Sequence, residues 1–364
     1  MKLKEITKCI EELAPLSFQE SYDNSGLLLG SCYKIIKSAL ITLDITESII
    51  DEAIQKKCNL IISHHPLIFS GLKRLSGNTF VERILLKAIK NDIAIYSVHT
   101  NIDNVINGVN SILAQKIGLK NLKILSPKSG LLQKLVTFCP SMHAEKVRNA
   151  IFEAGAGNIG NYSSCSFNSD GKGSFQASDN TNPFVGKLNE LHFEDEIRIE
   201  TIFPTHKTSE ILNALLDAHP YEEVAYDIYP LENEFANVGS GIIGELENSE
   251  DETVFLNRIK KICKADCLRH SKKIAKNVKK IAICGGSGSF LIDKAIASNA
   301  DVFISGDIKY HDFFKADNKI VIADIGHFES EQFVKDLLYS ILIKKFPNFA
   351  LQISEVNTNA VYYT

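Results

Sequence analysis

Residues 60–69 read LIISHHPLIF. An unbroken apolar run that stops at two adjacent imidazoles and a proline describes a buried strand opening into a polar loop. Upstream, ALITLD at 39–44 is a second such run, and it leads into an amphipathic stretch over 46–57 that Thr46 is placed to cap. Downstream, the spacing predicts a helix over 79–91, a strand over 93–98 and a helix over 109–119. Continuous apolar strands separated by amphipathic helices imply an α/β fold with mostly parallel sheets covered on both faces.

The pattern changes near Pro127. A strand at 135–139 and a helix at 144–154 lead into a Gly/Ser/Asn-rich region of short polar strands. A strand at 197–203, a helix at 209–217 and a strand at 223–229 follow. This β-α-β-β-α-β order with extra hairpin material is that of an α+β ferredoxin-like split unit of ordinary domain size. The α/β pattern then resumes, with a helix at 252–265, strands at 280–284, 301–305 and 319–323, a long helix at about 327–345 and a last strand at 350–354. The expected organisation is therefore one α/β domain of residues 1–128 plus 236–364, interrupted by an insert of residues 129–235. The first helix, with apolar residues at Leu3, Ile6, Ile10 and Leu13, shows no leader-like core behind its lysines.

Composition narrows the function classes. Apolar residues make up 45% of the 364 and charged residues 23%, so a disordered or disulfide-scaffold chain is excluded. A net charge of −4 without a basic stripe argues against a dedicated nucleic-acid reader. No apolar run reaches the ~20 residues that cross a bilayer. The 8 cysteines lack paired spacing, and Cys58, Cys139 and Cys284 sit in apolar runs as reduced core thiols, which leads to a cytoplasmic expectation. Cys263, Cys267 and His270 do not complete a zinc set.

Chemistry-bearing residues gather at the carboxyl ends of four expected strands: His64 and His65; His99 and Asp103; Asp307, Lys309 and His311; and His327 and Glu331. That edge is where open α/β sheets bind ligands. Two clusters come from each flanking half, which places the site between them. His, Asp and Glu without cysteine suit Zn²⁺, Mn²⁺, Fe²⁺ or Co²⁺. Adjacent His64 and His65 in extended backbone point apart and more easily serve two ions, whereas His327 and Glu331, four apart, share a helix face. Five such ligands exceed one open zinc site and suit a bridged pair. His99 stays open between ligand, base and buried hydrogen-bonded residue. Gly285-Gly286-Ser287-Gly288-Ser289 lacks the third glycine of a dinucleotide loop, yet a helix opening there would offer Gly286, Ser287 and Gly288 N–H groups to a phosphate. Neither a Walker A sequence nor a nucleophile elbow is present.

Taken together, YDNSGL at 22–27, SHHPLIF at 63–69, HTNID at 99–103, CGGSGS at 284–289, GDIKYH at 306–311 and GHFESE at 326–331 resemble the Nif-three-like family, known as GTP cyclohydrolase 1 type 2 homologues. HPYEEVAYDIYPL at 219–231 adds a match inside the insert. Tyr22 stands where that family commonly has Trp, and Phe328 where Tyr is frequent; neither position is a proposed ligand. The resemblance implies two divalent ions per chain, zinc foremost, held by His64, His65, Asp103, His327 and Glu331 with Glu331 bridging. It also implies a toroidal homohexamer and an insert similar to PII and CutA modules.

The implied activity is a metal-dependent hydrolase. Activated water would attack a nucleotide, as in opening of the GTP imidazole ring at C8, with His99 or Asp307 moving protons. Lys309 and Gly286–Gly288 would meet the triphosphate. A di-metal nucleotide phosphoesterase uses the same ligands. The rival class is a hexameric metal- or metabolite-binding regulator or scaffold, which would bind nucleotide without consuming it.

Overall fold

Ser38–Thr42, Leu60–Ser63 and Ala94–Ser97 are buried at every residue, the signature of strands covered on both faces. They run parallel, with Leu40 level with Ile61 and Ile61 level with Ile95. Ala350–Ile353 extends the sheet in parallel at one side, and Gly26–Leu29 closes the other side antiparallel to Ala94–Ser97. Leu40, Ile61 and Ile95 pack against Ile49, Ile50 and Ala53 of the helix Glu47–Gln55 and against Ile84, Leu85 and Ala88 of the helix Phe80–Lys90. Thr46 caps the first of these, its Oγ1 accepting from Ile49 N–H at 3.3 Å, and Thr79 caps the second in the same way.

The computed structural model describes all residues, 1–364, as two units: residues 1–127 with 237–364, and residues 128–236. The first unit holds a second sheet of six strands, in the order Arg269–His270, Val321–Asp324, Val302–Gly306, Asn277–Ser287, Phe235–Asp251 and Leu119–Lys128. Its faces are separated by strand alternation. Ile281, Ile283, Val302 and Ile304 face Phe255 and Ile259 of the helix Glu252–Ile262 and Leu113 and Ile117 of Val109–Ile117. Ala282, Cys284, Phe303 and Ile322 face Ile292 and Ala295 on the other side.

The unit 128–236 is a four-stranded antiparallel sheet in the order Phe167–Gln176, Leu191–Pro204, Leu132–Pro140 and Tyr226–Leu231. Helices Ala144–Glu153 and Thr208–Ala218 cover one face, where Leu135, Cys139, Ile199 and Phe203 meet Val147, Ile151, Ile211 and Leu215. No helix of the chain is long and apolar enough to cross a membrane.

Three expectations need correction. Both sheets are mixed: the five-stranded sheet is parallel except for Gly26–Leu29, and the six-stranded sheet carries antiparallel strands outside its parallel core. The outermost strand of the six-stranded sheet lacks the apolar run that marks a central strand: Leu119–Lys128 carries Lys120, Lys123 and Lys128 at the sheet's edge, a common guard against edge pairing. The long helix expected near 327–345 is two helices, His327–Glu331 and Val334–Lys345. At the break the side chain of Gln332 donates to Cys263 O at 2.7 Å and Phe333 has ψ −9°. Finally, Asn277–Ser287 continues as strand through the glycine-rich turn, and the helix expected to open there, Ile292–Ala297, begins only after a 3₁₀ turn, Ser289–Leu291.

The helix Glu47–Gln55 offers a paired test of this packing. Ile50→Ala removes a fully buried side chain and is expected to cost ~2–5 kcal/mol, against about 0.5 kcal/mol or less for Ile54→Ala on its 39% exposed flank. Urea unfolding of both variants reads the difference, and equal shifts would contradict the described face.

Candidate metal centre

Four imidazoles meet in the first unit, and each has its Nδ1 already engaged. His64 Nδ1 bonds Val98 O at 2.8 Å, His65 Nδ1 bonds Asp44 Oδ1 at 2.6 Å, His99 Nδ1 bonds Asp23 Oδ1 at 2.7 Å and His327 Nδ1 bonds Asp307 Oδ2 at 2.7 Å. Donating Nδ1–H outward turns Nε2 inward, the orientation in which an imidazole binds a cation. Local backbone sets this up. His65 N–H bonds Leu43 O at 2.9 Å, which keeps the pair in register with the neighbouring strand end. His99 precedes the single-turn helix Thr100–Asp103, which presents Asp103.

Glu331 lies buried at the centre. Its Oε2 is 2.9 Å from His65 Nε2 and 3.0 Å from His327 Nε2, while Oε1 faces His64 Nε2 at 3.8 Å. One carboxylate thus belongs to two groups, His65–His327–Glu331 and His64–Asp103–Glu331; within each, the potential ligand atoms lie within 4.8 Å of one another. His64, His65 and His99 form a third. His64 Nε2 and Asp103 Oδ1 are buried, 3.6 Å apart, and have no hydrogen-bond partner. Leaving such groups unsatisfied costs about 1–3 kcal/mol each, and a cation between them removes both penalties. The donor set therefore fits divalent cations, with nitrogen and oxygen ligands only. Cys284 behind it is held as a thiol, its pKa raised by burial and by the charges of Asp103 and Glu331.

Gly286 makes room for this arrangement. It adopts φ +63°, and a Cβ there would stand 2.3 Å from Glu331 Oε1. The expected phosphate cradle is not formed, because Gly286 N–H donates to Ser330 Oγ and Gly288 N–H to Ser305 Oγ, each at 2.9 Å. Ser287 is paired in the sheet with Gly306. Lys309 is exposed and does not line the cavity above the cluster. That cavity, of about 750 Å³, is bounded by His65, His99, His327, Phe69 and Arg269, with the carboxyl-terminal residues Asn359 and Tyr363 on its rim.

The charges explain one another. Burial alone would lower His65, yet its hydrogen bonds to Asp44 and Glu331 outweigh this and hold it up to about 10. His327 likewise rises against burial to about 9 through Glu331 and Asp307. Burial would raise Glu331, but hydrogen bonds from His327 and His65, with His64 close by, hold it well below the usual carboxylate range. Asp103 is pushed up by burial and by the Glu331 charge.

The match to the Duf34/NIF3 (NGG1p interacting factor 3) family model spans residues 1–360. The chain belongs to the Duf34/NIF3 family. Among its NIF3 relatives, the GTP cyclohydrolase 1 type 2 homolog of Halalkalibacterium halodurans is 39% identical over 359 residues, covering 97% of this chain and 96% of that one. The Bacillus subtilis homolog of the same name is 38% identical over 362 residues, covering 98% and 97%. A Bacillus cereus protein related to NIF3 superposes over 100% of this chain and 99% of its own, with TM-score 0.87 and 38% identity. A Staphylococcus aureus structure does so over 100% and 99%, with TM-score 0.78 and 30% identity.

Within this NIF3 chain the structure brings His64, His65, Asp103, His327 and Glu331 into one cluster, with His99 at its side, ring centroids 5.4 and 5.5 Å from His64 and His65. Asp307 supports His327 from behind. Sequence reasoning missed Asp23, Asp44 and Arg269. Asp44 ends the ALITLD run and Asp23 sits in YDNSGL, so strand-end carboxylates were the available signal; Arg269 had none.

Metal uptake by this cluster carries a proton signature. With His65 near 10 and His327 near 9, both are protonated at pH 7 in the metal-free protein, and a cation must displace those protons. Apparent affinity should therefore rise with pH, up to about 100-fold per unit between pH 7 and 8, and level off above the folded pKa values. Chelator competition at fixed free metal reads this, and a flat profile would contradict it. Asp44→Asn, which removes the charge orienting His65, should weaken binding by roughly 10–100-fold.

Proposed function

We propose that this NIF3 chain is a dinuclear metal-dependent hydrolase of a small nucleotide, with opening of the GTP ring at C8 as the first reaction to test. The observation that carries the reading is the facing pair of orphaned ligand atoms, His64 Nε2 and Asp103 Oδ1, beside a carboxylate shared with His65 and His327. Zinc is the favoured ion, with Mn²⁺, Fe²⁺ and Co²⁺ suited to the same donors. When bound, a divalent pair supplies Lewis acidity and brings the pKa of water from about 15.7 towards ~7.

The chain's own residues do the rest. His64, His65, Asp103 and His327 would hold the two positions, and Glu331 would bridge them. Asp44 and Asp307 fix the ring planes of His65 and His327. His99 stands at the cavity wall with its Nδ1 on Asp23, whose pKa is lowered, despite burial, by His99 and Thr100. That pairing suits His99 to accept a proton at Nε2 and pass it to solvent. Arg269, not Lys309, is the cation that lines the cavity, and it is the better placed residue to meet substrate phosphate. We further propose that the unit 128–236 is a PII/CutA-like ferredoxin-like module, that the chain assembles as a homohexameric ring, and that it works in the cytoplasm.

Plasma mass spectrometry after gel filtration should find about two ions per wild-type chain and fewer in His327→Ala. Zinc-loaded wild type should release formate from GTP, and Asp103→Asn should lower that rate by about 100-fold or more. A chain that holds no metal and cannot be reloaded would sink the reading. Full metal loading with neither formate nor phosphate released would replace the hydrolase by a metal- and metabolite-binding regulator or scaffold.

A further inference from the structure

The metal ligands leave one neighbouring stretch unexplained, the segment that follows the strand Ala350–Ile353. It leaves the five-stranded sheet from a fixed point. Ser354 N–H donates to Ile41 O at 2.8 Å, its hydroxyl donates to Glu52, and Glu355 N–H donates to the same carboxylate at 2.9 Å. Glu52 lies on the helix Glu47–Gln55 and pairs with Lys56 at 2.8 Å.

Further along, two adjacent side chains reach towards the metal centre. Thr358 O–H donates to Asp44 Oδ2 at 2.8 Å, and the other oxygen of that carboxylate holds His65 Nδ1 at 2.6 Å. Asn359 Nδ2 donates to Glu329 Oε1 at 2.9 Å. Glu329 is buried on the short helix His327–Glu331, between the two ligands, and Gly326 leaves room for its carboxylate, which a Cβ there would strike. Asp44 and His65 follow the strands Ser38–Thr42 and Leu60–Ser63 of the five-stranded sheet, whereas Glu329 and His327 follow Val321–Asp324 of the six-stranded one. One dipeptide therefore spans the seam between the two sheets that supply the ligands.

The segment's own turns make this reach rigid. Asn357 Oδ1 accepts Asn359 N–H at 3.0 Å, and Asn359 Oδ1 accepts Val361 N–H at 3.1 Å, the side-chain turns that asparagine favours. With its oxygen so used, the Asn359 amide can only turn its nitrogen to Glu329. Aspartate would keep the turn, lose the donor and set carboxylate against carboxylate. Neither Thr358 nor Asn359 belongs to the apolar clusters that hold the sheets.

We propose that Thr358 and Asn359 form a clasp across the metal centre, a positioning pair that sets the spacing of the His65 and His327 imidazoles. Thr358 acts through Asp44, and Asn359 through the helix His327–Glu331. The two rings arise on different sheets, so their spacing depends on contacts across the seam, and the clasp is one that the backbone itself makes continuous. Outer partners of this kind orient ligands, and their loss weakens metal binding. The inference rests on the metal reading of the cluster and not on hydrolysis.

Zinc competition against a chromophoric chelator, on full-length protein stripped of metal and reloaded, reads affinity without turnover. Thr358→Val, which keeps shape and loses the hydroxyl, and Asn359→Asp should each weaken one of two positions by roughly threefold to thirtyfold. Thr358→Ser, which restores the hydroxyl, should bind as the wild type does. Opening either end releases the clasp, so the double variant should lose little more than the worse single one. Circular dichroism of the metal-free variants, matching the wild type, separates loss of the clasp from loss of the fold. Wild-type affinity in both single variants, weak binding in Thr358→Ser as well, or losses that simply add in the double variant would overturn the clasp alone. A wild type that takes up no zinc overturns the metal reading itself, and the clasp with it.

Discussion

The geometry of the metal centre depends on one buried carboxylate. Glu331 sits among three imidazoles with its two oxygens turned to different partners, and every surrounding element is arranged to make that position tenable. Gly286 has no side chain because Glu331 Oε1 fills the space. Ser330 receives Gly286 N–H and donates to His327 O at 2.7 Å, locking the glycine turn to the short helix that carries both ligands. Asp44 and Asp307 reach the imidazoles from outside and turn Nε2 inward. None of these contacts is strong alone, but together they leave the carboxylate one conformation.

Each parallel sheet core delivers its part of the site by the same means. Apolar strands buried on both faces end level with one another, so residues just beyond Ser63, Ser97, Gly306 and Asp324 emerge at a common edge. This is why the candidate ligands were legible in the sequence. Each follows an apolar run of strand length, and runs of that kind are the most readable signal in a chain. The outer strands were less legible because Gly26–Leu29 is only partly covered and Leu119–Lys128 is rich in lysine. Asp23 and Asp44 escaped notice for a different reason. An orienting carboxylate is defined by the imidazole it meets in space, and nothing in local sequence separates it from a solvated strand-end aspartate. The glycine-rich turn misled for a related reason: Gly286 serves a side chain 45 residues away, Glu331, which spacing within the turn cannot disclose.

Glu331 also bears on how the metal centre survives without metal. Metal-free, His65 and His327 take up protons, placing positive charge beside Glu331 where a cation would otherwise provide it. The two sheets are held by apolar clusters that do not depend on the ligands. The fold is therefore a scaffold that presents the site rather than a product of metal binding, unlike small domains that fold only around zinc. The remaining frustration is the unpartnered His64 Nε2 against Asp103 Oδ1. A first cation at that group gains the most from removing unpaired polar atoms. A cation must displace protons at both groups, from His65 and His327 at one and from the raised Asp103 carboxyl at the other, so occupancy of both positions should fall as pH falls.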